Sequence, residues 1–107
     1  HEQNINFLYD THVENMQAID GKAKTKTFFE IFPKYISQDN WRVYIASLDG
    51  KLISALLLFY FNKTVEYFTP VTIQEYRALQ PLALIIYKAM QDSIRNGFKY
   101  WNWENKS

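Results

Sequence analysis

The sequence predicts an α+β fold in which helices pack against a mixed, mainly antiparallel sheet. Two hydroxyl-to-carboxylate spacings typical of helix starts lie in the first third of the chain. From residue 41 onward, β-branched and aromatic segments alternate with tight-turn signals, as in a strand meander. An amphipathic helical pattern then precedes a short aromatic segment near the end of the sequence.

Composition excludes several classes of function. The 107 residues carry 12 Lys and Arg against 11 Asp and Glu, so the chain lacks the excess of positive charge that is typical of nucleic-acid-binding proteins. Cysteine is absent, and the two histidines lie close to the start of the chain, which argues against thiol chemistry, a histidine triad and a zinc site. Three glycines are too few for a glycine-rich phosphate loop. We expect residues 1–107 to form one domain.

The longest apolar run, Leu52 to Phe61, is shorter than the roughly 20 residues that a membrane helix needs. No targeting segment is recognisable, so the sequence predicts a cytoplasmic protein without a membrane span. The chain begins at His1 without a methionine and ends just after an aromatic run, which suggests a piece of a longer protein.

Two short helices are predicted at the N-terminus. The spacing Thr11-x-x-Glu14 predicts one helix from about Thr11 to Asp20, followed by a basic connector over residues 22–26. Thr27-x-x-Glu30 predicts the second helix, with a kink or an early end at Pro33.

The meander is predicted from three strands and two turns. Residues 41–46 form the first strand, and Asp49-Gly50 is a strong hairpin signal. Residues 52–61 form a central strand that is apolar on both faces, and residues 65–69 form the third strand.

A further helix and strand complete the expected order. Pro81 suits the first turn of this helix, and Asn96-Gly97 suits its end. The apolar stripe that we expect to face the core consists of Leu82, Ile86, Ala89, Met90 and Ile94. A strand over residues 99–103 should lie parallel to the strand before the helix, through a right-handed crossover. The default binding site is then the corner at residues 69–80, beyond the end of the third strand.

This order of elements resembles the GNAT acyltransferase superfamily, and its Fem branch of peptidoglycan-bridge aminoacyltransferases in particular. The stretches that carry the resemblance are Tyr44 to Ile53, Tyr67, Glu75 to Pro81 and Asn96 to Trp103. The resemblance implies N-acyl transfer, without a metal, from acyl-coenzyme A or aminoacyl-tRNA to a primary amine. That amine would belong to a small molecule or a cell-wall (peptidoglycan) precursor.

The sequence departs from this family pattern in two places. Coenzyme A-dependent members carry glycines in the loop before the crossover helix, where this chain has Arg77 and Leu79. Relatives also continue into closing strands, whereas this chain ends in the polar residues 104–107. These departures suggest an incomplete domain that is inactive by itself, and an edge through which two copies could pair.

Candidate site residues follow from the predicted corner and from the resemblance. Arg77 would bind an anion such as a phosphate, although an exposed loop arginine is the simpler interpretation. Glu66 would act as a base, or is merely a surface residue, and Tyr67 would act as a proton donor. The remaining predicted binding residues are Thr69, Thr72, Gln80, Tyr100 and Trp103.

Two functions from different classes therefore remain open. The first is an N-acyltransferase domain in which positioning and stabilisation of developing charge do most of the catalysis. The alternative is a catalytically silent binding module of the same fold, which the missing glycines and histidines would suit.

Overall fold

The structure, a computed structural model, describes residues 2–103; His1 and the predicted departure at 104–107 lie outside these residues. The order of elements is as follows: α1 (Glu2–Ala18), α2 (Lys26–Tyr35), a 3₁₀ turn (Gln38–Asn40), β1 (Trp41–Leu48), β2 (Lys51–Phe61), β3 (Thr64–Thr72), a 3₁₀ helix (Gln74–Leu79), α3 (Pro81–Arg95) and β4 (Tyr100–Asn102). None of the helices within residues 2–103 has the length and apolar character needed to cross a membrane.

The sheet has the strand order β1-β2-β3-β4, and its mixed character confirms the predicted fold class. The first three strands are antiparallel, and β4 runs parallel to β3 after the α3 crossover. Asp49 and Gly50 adopt φ values of 52° and 78°, which is the left-handed geometry of a two-residue hairpin turn. The turn chemistry and the apolar β2 strand therefore made the meander predictable.

The two faces of the sheet carry separate cores. One face packs on α1 and α2 through a cluster that includes Leu8, Phe29 and Leu57, all buried. The other packs on α3 through Leu58 and Ile85 among others. Because β2 contributes to both clusters, every side chain from Ile53 to Phe59 is buried, as the sequence predicts for a central strand.

The predicted start of the first helix is wrong. Helix α1 begins at Glu2, and Thr11 lies in its interior with 2% exposure instead of capping it. Packing of Leu8 on the sheet stabilises the preceding turns more than the capping signal indicated. In α2, likewise, the cap is Thr25, whose Oγ1 accepts a hydrogen bond from the N–H of Phe28 at 3.3 Å. Helix α2 ends two residues after Pro33.

The predicted stripe of α3 is partly wrong. Ile85 and Ala89 are buried against the sheet, whereas Ile94 is 76% exposed. The buried face of α3 is thus rotated from the predicted stripe, because it follows the spacing 81, 85, 89 and 92–93 along the helix. Asp92 and Ser93 are buried on this face through hydrogen bonds that the apolar pattern does not reveal.

Candidate functional site

The outer edge of β3 loses its strand neighbour halfway along. Pairing with β4 ends at Glu66, and within residues 2–103 no strand continues along β3 beyond that point. Phe68 is an extra residue at this position, because Leu57 pairs with Thr69 while Leu58 pairs with Tyr67. The sheet therefore opens at a β-bulge and leaves a strand edge over residues 67–72.

Asn15 of α1 covers the end of this open edge. Its Nδ2 donates a hydrogen bond to the C=O of Thr72 at 3.1 Å, and its Oδ1 accepts one from the N–H of Thr72 at 3.4 Å. The N–H of Ile73 donates to β2, at the C=O of Ile53, so the alternation of a strand directs the backbone of Thr72 outward. Pro70, also outward, has no N–H to donate. The accessible edge is thus confined to residues 67–70.

A cavity of about 410 Å³ lies between the end of β3 and the start of α3. Its walls are formed by Asn15, Pro70, Val71, Thr72, Arg77, Gln80, Pro81, Leu82, Ala83 and Ile86. It occupies the corner at residues 69–80, and three of the predicted binding residues line it, namely Thr72, Arg77 and Gln80. Sequence reasoning missed the first turns of α3 as part of the lining, and it missed Asn15, whose partner lies 57 residues away in the chain.

The first turn of α3 faces this cavity without a side-chain cap. Gln80, at the N-cap, makes no side-chain capping bond, and Pro81 contributes no N–H. Helix N-termini carry partial positive charge from unsatisfied N–H groups, and the exposed Arg77 adds a full positive charge beside it. This end of the cavity therefore favours an anion.

The loop before α3 determines whether a phosphate-bearing ligand can fit at this end of the cavity. Its left-handed residue is Gln80, with φ of 53°, and neither Arg77 nor Leu79 has a positive φ. The backbone conformation therefore favours a glycine at position 80, whereas the family pattern has its glycines at positions 77 and 79. The backbone conformation at Gln80 would let a phosphate group come close to the loop, while the side chain of Gln80 limits that approach.

The structure does not bring Glu66 and Tyr67 together. Glu66 pairs with Phe59 and lies on the face of α1 and α2, whereas Tyr67 pairs with Leu58 and packs with the α3 cluster. Asn102 holds the Glu66 carboxylate, with Nδ2 at 3.1 Å from both oxygens. The two predicted catalytic residues therefore flank the open edge from opposite faces, and neither lines the cavity.

The remaining predicted binding residues differ in position. Thr69 is 1% exposed, and its Oγ1 is buried without a hydrogen-bond partner among the described residues. Trp103 packs against Tyr67 with ring centroids 4.8 Å apart. Tyr100 pairs with Thr64 at the opposite end of β3, roughly 26 Å of strand from Thr72, and so does not belong to the cavity.

A polar cluster around the buried Asp92 connects α3 to β1. The hydroxyl of Tyr44 donates to Oδ2 of Asp92 at 2.8 Å, and Asp92 also pairs with Lys88 and Arg95. Burial and this hydrogen bond raise the pKa of Tyr44 far above its ordinary value, and burial also raises the pKa of Tyr60. The bond from Tyr44 lowers the pKa of Asp92. Within residues 2–103, no group of three His, Asp or Glu side chains is arranged to hold a metal.

Comparisons with known proteins agree with this architecture. The family described as "Acetyltransferase (GNAT) domain" matches residues 1–103. An aminoglycoside acetyltransferase from an uncultured soil metagenomic sample, solved in complex with sisomicin, has a TM-score of 0.68 at 14% identity, covering 94% of this chain and 69% of that one. No curated protein sequence gives a significant match.

Two further solved structures are similar in fold. A Staphylococcus aureus protein assigned to the GNAT acetyltransferases has a TM-score of 0.70 at 15% identity, covering 99% of this chain and 92% of that one. The PaiA N-acetyltransferase of Thermoplasma acidophilum, in complex with coenzyme A, has a TM-score of 0.64 at 15% identity, covering 90% and 67%. At these identities the likeness concerns the fold.

Proposed function

Because the chain belongs to the GNAT acetyltransferase domain family, we propose that it transfers an acyl group from acyl-coenzyme A to a primary amine at the open edge of β3. The observation that carries the proposal is the junction of three features: a strand edge that ends its pairing at Glu66, an uncapped α3 N-terminus, and Arg77 beside it.

The donor would lie between the β3 edge and α3. Its phosphates suit the positive end of α3 and the guanidinium of Arg77, because helix N-termini and arginine both stabilise oxyanions. Its amide-containing arm suits the backbone of residues 67–70, which can pair with an extended chain. Gln80 would contact the donor where the chain turns into α3.

The chemistry needs little from side chains. The amine nitrogen forms a bond to the acyl carbon, the carbon–sulfur bond breaks, one proton leaves the nitrogen, and the departing sulfur gains one. Backbone N–H groups at the Phe68 bulge would stabilise the negative charge that develops on the acyl oxygen. The N–H of Thr72 already donates to Asn15, so the N–H groups that would serve here belong to residues 67–69.

The two proton transfers would take place on opposite faces of the β3 edge. The donor occupies the α3 side, so the amine approaches from the side of α1 and α2, where Glu66 lies oriented by Asn102. Glu66 accepts the proton of the amine. The hydroxyl of Tyr67, on the α3 side, would protonate the departing thiolate.

A charged tRNA as donor and a peptidoglycan precursor as acceptor form the second candidate, as in the Fem branch. The observation that favours it is that Gln80, and not a glycine, occupies the left-handed position before α3, together with Pro81, which removes one N–H from the phosphate end. Tyr100 and Trp103, at β4, are exposed aromatic residues. They support a separate proposal, that two copies of the chain associate through the side of the sheet on which β4 lies.

The test is thermal unfolding of the chain with acetyl-coenzyme A and, separately, with a charged tRNA. A ligand that binds only the native state stabilises it by about 2.7 kcal/mol at a hundredfold excess over its dissociation constant. We expect acetyl-coenzyme A to raise the midpoint, Arg77→Met to reduce that rise, and Lys63→Met, a matched exposed cation in the β2–β3 turn, to leave it unchanged. A rise with tRNA alone would support the Fem candidate, and no rise with either would support the silent module.

A further inference from the structure

Asn15 lies on the buried face of α1, next to the open edge of β3. Leu8, Thr11 and His12 precede it along this face, with 0%, 2% and 4% of their surface exposed. Nδ2 of Asn15 donates to the C=O of Thr72, and Oδ1 accepts from the N–H of the same residue. Because both ends of the carboxamide are bound, its orientation is fixed, and Asn15 forms a defined part of the cavity wall.

Along this edge of β3, backbone N–H groups with which a ligand could pair lie in two places. The first is the bulge, at residues 67–69, and the second is Thr72, whose backbone is directed outward. Pro70, between them, has no N–H to donate. Asn15 occupies both the N–H and the C=O of Thr72, so the bulge is the place that remains.

We propose that Asn15 sets the register in which the donor arm pairs with β3, an inference that rests on the proposed function. An extended chain at a strand edge can pair in several registers, because each two-residue repeat offers similar backbone groups. By occupying Thr72, Asn15 blocks the register nearest α3. The acyl group then lies at the bulge. Asn15 is thus a positioning residue, which acts through the backbone of β3 and does not touch the reacting atoms.

The blocked register would misplace the reacting end of the donor. Pairing with Thr72 draws the arm toward α3 by at least one two-residue repeat of the strand, about 7 Å, and takes the thioester away from the bulge. A misplacement of about 1 Å is enough to cost roughly a hundredfold in rate. Loss of Asn15 should therefore add a hydrogen-bonding position for the donor while moving its acyl group out of alignment.

The experiment follows hydrogen exchange of the Thr72 amide by NMR, with and without coenzyme A, in the native chain, Asn15→Ala and Ser54→Ala. Each rate is divided by that of Ile73, whose N–H is bonded inside the sheet to Ile53. This ratio removes the general stabilisation that any bound ligand gives. Ser54→Ala is the matched control, because it removes the hydroxyl 3.0 Å from that of Thr72 while Asn15 still covers the edge.

We expect coenzyme A to slow the normalised exchange of Thr72 by about tenfold or more in Asn15→Ala, because the arm then pairs there. The native chain and Ser54→Ala should show no such dependence on coenzyme A. Conversely, coenzyme A should shift the amide signals of residues 67–69 in these two chains and shift them less in Asn15→Ala. A substitution that merely loosens Thr72 changes its exchange rate without making that rate depend on coenzyme A.

The unfolding midpoint separates failure of this inference from failure of the proposed function. If coenzyme A raises the midpoint of the native chain and of Asn15→Ala, yet the normalised exchange of Thr72 does not respond in either, the inference is wrong and the proposed function stands. A rise in the native chain alone would make Asn15 a binding residue and would also overturn the inference. A rise in neither chain would overturn both. Asn15→Ser, whose single polar atom cannot hold both groups of Thr72, replaces Asn15→Ala if that variant does not fold.

Discussion

The side chain of Asn15 on α1 takes the place of a neighbouring strand for Thr72 on β3. The carboxamide donates to the C=O of Thr72 at 3.1 Å and accepts from its N–H at 3.4 Å, as an adjacent strand would. Ser54 pairs with Thr72 from the other side, with 3.0 Å between the two hydroxyl oxygens. Thr72 is thus held on both sides, and the accessible edge ends before it.

Replacing Asn15 should loosen this end of β3. Asn15→Leu keeps the size of the side chain but removes both hydrogen bonds, and we expect a loss of about 1–2 kcal/mol in the free energy of unfolding. Urea denaturation measures this loss, and faster hydrogen exchange of the Thr72 amide locates it. Gln17→Leu, at an exposed position of α1, is the control. Unchanged exchange at Thr72 would show that the two bonds do not protect this edge.

The left-handed backbone at Gln80 predicts a stabilising substitution. A residue with a Cβ costs about 1–2 kcal/mol in this conformation, while glycine adds entropy to the unfolded chain. We therefore expect Gln80→Gly to raise the free energy of unfolding by about 1 kcal/mol or less. It should also tighten binding of coenzyme A, because the backbone could approach the phosphates more closely.

The matched control for this substitution is Gln74→Gly, since residue 74 has no positive φ. There glycine should destabilise the 3₁₀ helix without any gain in binding. Destabilisation by Gln80→Gly as well would mean that side-chain contacts of Gln80 outweigh its backbone cost.

The Tyr44 hydroxyl makes stability fall at alkaline pH. Its pKa is raised in the folded state, so the folded chain holds this proton more tightly than the unfolded chain. The contribution is present below the unfolded tyrosine pKa of about 10 and is lost as pH rises above it. Urea denaturation between pH 8 and 11 should show this decline. Tyr44→Phe should reduce the slope, and an unchanged slope would assign the decline to other groups, Tyr60 included.

For Asp92 we expect the opposite pH dependence, a free energy of unfolding that falls at acid pH. The bond from Tyr44 and the charge of Lys88 lower the pKa of Asp92 in the folded state despite its burial. Its contribution is therefore complete above the unfolded pKa of about 4 and is lost as pH falls below that value. We expect Asp92→Asn to flatten the acid limb of the stability curve measured from pH 2 to 6. An acid limb as steep as that of the native chain would contradict this role.

Local signals made the sheet predictable but misplaced the start of α1, the cap of α2 and the buried stripe of α3. Turns such as Asp49-Gly50 depend on the backbone preferences of the residues themselves, and these survive in the folded chain. The start of α1 was misplaced at Thr11 because a capping signal competes with packing of a whole helix face. The stripe of α3 was rotated because Asp92 is buried by hydrogen bonds, which an apolar pattern cannot show.

The sequence by itself determined the order of elements, the mixed sheet and the corner where β3 leads into α3, since periodicity and turn chemistry act over a few residues. Tertiary structure alone decided which groups meet there. The bulge at Phe68 breaks the alternation of β3, so the positions of Glu66, Tyr67 and Thr72 could not be counted along one unbroken strand. The contacts of Asn15 with Thr72 and of Lys24 with Phe68 join residues more than forty positions apart, and only packing brings such pairs together.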